Sequence, residues 1–166
     1  MFDEALTCLG MSEKLGQTNV GFYNLKGFLL LNKNELKNSE SVFQEGFQKF
    51  PDDINLKINY SSLLLAQNKF KEAEDILGKV YFPAEQNIEA GLQLALVYRY
   101  QNKLVEAAKV YQNLLDKFPK EKLIYETIAD YYMLTNQQKK YRATYNKYLE
   151  YYPNDFEIKK KIAESL

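Results

Sequence analysis

Histidine is absent from all 166 residues, so the side chain that most often serves as general base or metal ligand near neutral pH is missing. Serine-histidine and cysteine-histidine nucleophilic pairs are therefore impossible. Three groups of reactive or charged residues remain: one cysteine, Cys8; carboxylate pairs at helical spacing, such as Glu72 with Asp75 and Glu126 with Asp130; and two lysine clusters, Lys139 with Lys140 and Lys159 to Lys161. Cys8 has no second cysteine to bridge, and a free cysteine usually behaves as a small hydrophobe, so it is expected in or against a core. The carboxylate pairs read as solvated helix faces. No glycine-rich phosphate loop is present, the seven glycines being scattered. The lysine clusters could meet acidic lipid or RNA, but Glu150, Asp155, Glu157 and Glu164 dilute their field. Lys plus Arg and Asp plus Glu number 22 each, whereas a nucleic-acid binder normally carries a basic excess. The expectation is a chain with no catalytic residue, no metal site and no cofactor.

Aromatic residues are the remaining candidates for recognition. Tyr125, Tyr131, Tyr132, Tyr141, Tyr145, Tyr148, Tyr151 and Tyr152 crowd the last quarter of the chain, where an amphipathic ring serves either a core or an interface. Tyr132 and Tyr145 fall in core positions of the pattern described next. Tyr131 and Tyr151 do not, which makes them candidates for contact with a partner.

The elements that position these residues come from a repeat. Asparagine recurs at Asn34, Asn68, Asn102 and Asn136, one every 34 residues without insertion, and Pro51, Pro119 and Pro153 keep the same phase. A fixed period of this length marks a stacked helical array in which each unit buries its apolar face against its neighbours. Asparagine tolerates the left-handed conformation that ends a helix, and proline cannot continue one. First helices are expected over residues 20–33, 54–67, 88–101 and 122–135, each about four turns at ~3.6 residues per turn. Second helices follow from about Glu35, Lys69, Lys103 and Gln137 to near the next proline. Within the second helices a large residue (Leu36, Phe70, Leu104), a small one (Ser39, Ala73, Ala107) and a bulky one (Phe43, Leu77, Tyr111) share one face. In the first helices the matching stripe is Gly27 with Leu30, Ser61 with Leu64, Ala95 with Tyr98, and Ala129 with Tyr132.

Thirty-four residues, a helix pair, small residues at two crossing points and a closing proline resemble the tetratricopeptide repeat. The resemblance implies an all-α, right-handed α-solenoid superhelix of about ten antiparallel helices. It divides the single domain 1–166 into units 20–53, 54–87, 88–121 and 122–155, with a half unit at 1–19 and another at 156–166. Phe2, Ala5 and Leu9 repeat Leu36, Ser39 and Phe43, while Ile162, Ala163 and Leu166 repeat Ile128, Ala129 and Tyr132. Some positions depart from the family pattern. The chain has no tryptophan, Tyr23 and Tyr125 being the nearest substitutes. Proline comes early in the second unit, at Pro83, with Glu85 in its expected place, which predicts a shorter helix and a longer loop. The fourth unit has Gln138, Tyr141 and Tyr148 where apolar or small residues are usual.

Such a family implies a non-enzymatic protein-interaction scaffold that receives a peptide or amphipathic helix in the concave groove of the first helices. By column, that groove comprises Asn24, Phe28 and Leu31; Asn55, Ile58, Ser62 and Leu65; Glu89, Leu92, Leu96, Arg99 and Tyr100; and Glu126, Asp130 and Met133. Its apolar members are expected to be too many for neighbours to cover, with Arg99 the one cation. The chaperone-tail clamp known in the family would fall on Asn24, Phe28, Asn59, Glu89 and Gln93, where only Asn59 matches. Two other readings compete: a self-association or assembly module acting through the terminal helices, and, against the charge balance, an RNA-binding helical repeat. No apolar run approaches the ~20 residues of a membrane span, and Met1 leads into an amphipathic helix rather than a secretory leader, which slightly favours the cytoplasm.

Overall fold

The computed structural model describes residues 2–82 and 87–165. Among these residues the chain forms ten α-helices and no strand. They are α1 (Phe2–Lys14), α2 (Val20–Asn32), α3 (Leu36–Lys49), α4 (Ile54–Ala66), α5 (Phe70–Tyr81), α6 (Ile88–Tyr100), α7 (Leu104–Lys117), α8 (Lys122–Leu134), α9 (Gln138–Leu149) and α10 (Phe156–Ala163). Each of the first helices α2, α4, α6 and α8 pairs with the second helix that follows it.

The turn inside each pair is set by its asparagine. Asn34, Asn68, Asn102 and Asn136 have φ of 61, 59, 60 and 56°, the left-handed region. Each follows the helix C-cap, so its N–H donates three residues back. The next residue's N–H reaches five back: Glu35 N to Leu30 O at 2.9 Å, Lys69 N to Leu64 O at 2.8 Å, Lys103 N to Tyr98 O at 2.8 Å and Gln137 N to Tyr132 O at 2.8 Å. This is a Schellman closure repeated four times, and it satisfies carbonyls the helix end would leave bare.

The opposite turns carry a second periodic signal. Asn19, Asp53, Asn87 and Asp155 stand at the N-caps of α2, α4, α6 and α10. Their side chains accept from the N–H of Phe22, Leu56, Ala90 and Ile158. Glu121, at the same phase before α8, makes no such bond, because its longer chain does not fold back as a short Asx side chain does. Helix α5 ends after 12 residues where α3 and α7 run for 14, as the early proline predicts. Pro83, Glu85 and the loop expected around them lie outside the described residues.

Small residues let the paired helices meet. Gly27, Ser61, Ala95 and Ala129 are buried, as are Ser39, Ala73 and Ala107 opposite them. Ser39 Oγ donates to Gly27 O at 2.8 Å and Ser61 Oγ to Lys57 O at 2.8 Å, so neither buried hydroxyl is left unmatched. The fourth unit solves the same problem with rings. Tyr141, Tyr145 and Tyr148 are buried with Tyr125, Ala129 and Ile158 in a cluster of their own. Tyr125 donates its hydroxyl to Pro119 O at 2.9 Å, fixing α8 onto the turn before it. Cys8 departs from expectation: it is exposed rather than packed.

Stacking of the pairs is asymmetric. First helices approach their successors, α2 to α4 to α6 to α8, while no second helix among the described residues approaches the next second helix. First helices therefore line an inner face and second helices splay on an outer one. Two joints carry the same latch: Glu40 takes Gln67 at 3.0 Å and Lys69 at 3.4 Å, and one period on Glu74 takes Lys103 at 2.7 Å. At the joint between α7 and α8 the corresponding residue is Ala108, and the latch is lost.

Candidate partner-binding groove

The inner face follows from the helical phase of α2, α4, α6 and α8, and its side chains fall into columns that meet the next unit. In the first column Asn59 Nδ2 donates to Asn24 Oδ1 at 2.8 Å, and Asn24 Nδ2 to Asp53 Oδ1 at 3.2 Å. The column then turns apolar. Ile58 and Leu92 were expected to face an open groove, but only 1% and 9% of their surface is accessible, and they belong to the central core. The next first helix lies over them, so they fill the seam between units. The column ends on Glu126, which Lys161 of α10 binds at 3.2 Å.

The second column is more open. Phe28 is 44% exposed, Ser62 accepts from Gln93 Nε2 at 3.1 Å, Leu96 is half-buried, and Asp130 is exposed. The third holds Leu31 and Leu65, both packed against cores, then Arg99 and the exposed Met133. The Arg99 guanidinium lies 4.1 Å over the ring of Tyr131 and donates to Tyr111 OH at 3.4 Å. Tyr131, read from the sequence as a candidate for partner contact, is thereby half-covered from inside the molecule. Arg99 Nε is buried without a hydrogen-bond partner, as is Gln93 Oε1 on the same helix.

At the rim, Tyr100 lies flat on Phe70, centroids 5.1 Å apart and planes 8° apart, with 60% of its surface accessible. One period on, Leu134 is 80% exposed. Sequence reading passed over Leu134, although sharing the column of Tyr100 was enough to find it. Toward the N-terminal side, Val20, Gly21, Asn24, Asp53, Asn55, Ile58, Asn59 and Glu89 line an open cleft of about 380 Å³. Its wall is mainly carboxamide and carboxylate.

Charge on this face is unevenly committed. Among the described residues Glu89 and Asp130 make no ion pair, whereas Lys122 and Lys161 are engaged by Asp155, Glu126 and Glu157. Hydrogen bonding to Asp155, then to Glu157, holds the Lys122 ammonium well above the usual lysine range. Burial works against the charge on Lys161, but Glu126 and Glu157 still raise it. No group of three or more Cys, Asp or Glu side chains among the described residues is placed to hold a metal, and no helix is long and apolar enough to cross a membrane.

A curved stack of helix pairs with an inner face of mixed apolar and acidic character defines the class of α-helical repeat scaffolds. A tetratricopeptide-repeat family model matches residues 89–121 and 127–155. No curated protein matches the sequence. Solved structures do match the fold. The thermophilic tetratricopeptide-repeat protein TTC0263 of Thermus thermophilus aligns with a TM-score of 0.78 at 16% identity, over 99% of this chain and 90% of its own. MamA, residues 41 to the end, from Desulfovibrio magneticus RS-1 gives 0.70 at 19% identity over 93% of this chain and 88% of its own. The Cut9-Hcn1 hetero-tetramer of APC/C gives 0.71 at 13% identity over 99% of this chain and 33% of that one. The third and fourth units are tetratricopeptide repeats, and the chain as a whole has the tetratricopeptide-repeat fold.

Proposed function

We propose that this chain is a non-enzymatic interaction scaffold whose inner face binds an amphipathic helix with a basic flank. One observation carries the reading: first helices leave Phe28, Tyr100 and Met133 between 43% and 60% exposed on the face that the fold curves around. Apolar surface kept open on a folded domain usually marks an interaction site. Glu89 and Asp130 stand uncommitted beside it and favour lysine or arginine on the ligand. The Cut9-Hcn1 neighbour is itself part of a hetero-tetramer, in keeping with a scaffold role.

The test is a fluorescein-labelled helical peptide with a leucine face and a lysine flank, followed by anisotropy. Tyr100→Ala should weaken binding by about 30-fold, roughly 2 kcal/mol, while circular dichroism stays unchanged. Wild-type affinity in a folded Leu96→Ala, Tyr100→Ala double variant would move the site out of the groove. Direct binding of labelled single-stranded RNA, weakening steeply with added salt, would support the nucleic-acid reading instead.

A further inference from the structure

The outer face holds a cavity separate from the inner groove. Because successive second helices do not touch, a wedge opens between α3 and α5, bordered by Lys57 from the first turn of α4. Phe47, Lys57, Ile76, Lys79 and Val80 line it and leave about 250 Å³. Phe47 packs on the first core, Ile76 and Val80 on the central one, so the cavity lies where the two cores adjoin. All three side chains are half-buried.

The next wedge, between α5 and α7, is full. Tyr81 stands one period after Phe47 and is 1% exposed. A Cβ added to Gly91 would come 2.7 Å from its ring and 3.1 Å from Leu114. The Tyr81 hydroxyl donates to Asn113 Oδ1 at 2.9 Å. Gly91, Asn113 and Leu114 fall one period after Lys57, Lys79 and Val80, so Tyr81 occupies the space that stays empty in the first wedge. There Phe47 instead sets its ring edge-to-face on Tyr60, centroids 5.2 Å apart. An aromatic side chain arriving from outside would fill the first wedge as Tyr81 fills the second.

Charge at the mouth selects what carries that ring. Lys79 is exposed and makes no ion pair among the described residues, Asp75 one turn before it included. Lys57 has only Asp52, at 3.9 Å and itself fully exposed, a contact worth little. Two ammonium groups beside an apolar wall favour a ring whose neighbours are carboxylates. The volume is below the roughly 300–1,000 Å³ of a site that encloses a drug-sized ligand, and suits a single side chain.

We propose that the wedge between α3 and α5 is a second docking site, which takes an aromatic side chain from an acidic segment of a partner protein. It is independent of the inner groove and selects the opposite charge.

The test is calorimetric titration with an acetylated peptide carrying one phenylalanine among aspartates and glutamates. It should show one-to-one binding that weakens with added salt, and replacing the phenylalanine with alanine should remove it. Lys79→Glu, at an exposed position, should weaken binding by about tenfold. Ile76→Phe, which fills the cavity from within, should abolish it, and circular dichroism should show both variants folded. Absence of binding up to about 1 mM peptide overturns the proposal, as does undiminished affinity in a folded Lys79→Glu, Ile76→Phe double variant. Equal binding of the alanine peptide overturns it in favour of charge alone. Equal binding of phenylpropionate overturns it in favour of a small aryl carboxylate.

Discussion

A Cβ built on Gly27 would stand 2.6 Å from the ring of Phe43, inside any real contact. The ring is fully buried and cannot swing away. Gly27→Ala should therefore destabilise by about 1–3 kcal/mol through overpacking, despite the better helix propensity of alanine. Urea titration checks this, and a Phe43→Leu second change should recover part of the loss. The reverse opportunity lies at Glu121, the one N-cap of the 34-residue series without a side-chain bond to the helix. Glu121→Asp should raise unfolding stability by about 0.5–1 kcal/mol, read as a higher thermal midpoint.

At the scale of elements, the asparagine turns make a sharp distinction. Asn102 holds φ of 60° at the end of α6. Asn102→Gly should be neutral or slightly stabilising, whereas Asn102→Ala should cost about 1 kcal/mol, because a Cβ without a bonding amide is penalised in that region. Helix α9 supplies a pH test. Burial raises the phenols of Tyr141, Tyr145 and Tyr148 above their ordinary value, Tyr145 to about 12. A raised folded value means that the unfolded chain ionises first, so stability is intact below about pH 10 and is lost as pH rises toward 12. Thermal midpoints should fall across that window together with rising phenolate absorbance. Tyr145→Phe should blunt the fall.

All first-helix starts were legible in the sequence, because period and pattern both mark them. Each of these helices ends one residue earlier than expected, since the residue before the asparagine serves as the C-cap. The Asx series at Asn19, Asp53, Asn87 and Asp155 was equally periodic and went unread, proline being the more conspicuous mark. The groove was less legible. A column fixes the direction of a side chain from its own helix, but not what the next unit lays over it. Ile58 and Leu92 were therefore misplaced, while Phe28 and Met133 are open. Arg99 and Tyr131 point toward each other across two units, a pairing no single-unit pattern contains.

At the scale of the whole molecule, cohesion is uneven. The Glu40–Lys69 and Glu74–Lys103 latches tie the first three units, and the central core runs from Ile58 to Ile128. The joint before α8 lacks this carboxylate latch, Ala108 standing in its place, and α9 and α10 rest mainly on their own tyrosine cluster. Native-state hydrogen exchange should show α9 and α10 opening at a lower free energy than α4 to α6. Uniform protection across all ten helices would contradict that gradient.

Contact between successive first helices, without contact between successive second helices, makes the stack a spring that yields in one direction. Tightening the curve would press already touching helices into one another, which close-packed side chains resist. Straightening it brings the outer helices nearer one another about the inner seam at Ile58 and Leu92, resisted where each rests on the next first helix, α3 on α4, α5 on α6 and α7 on α8. The array should therefore resist tightening more than straightening. A bulky ligand in the proposed groove would then be accommodated by widening, and a thin one by side chains reaching inward.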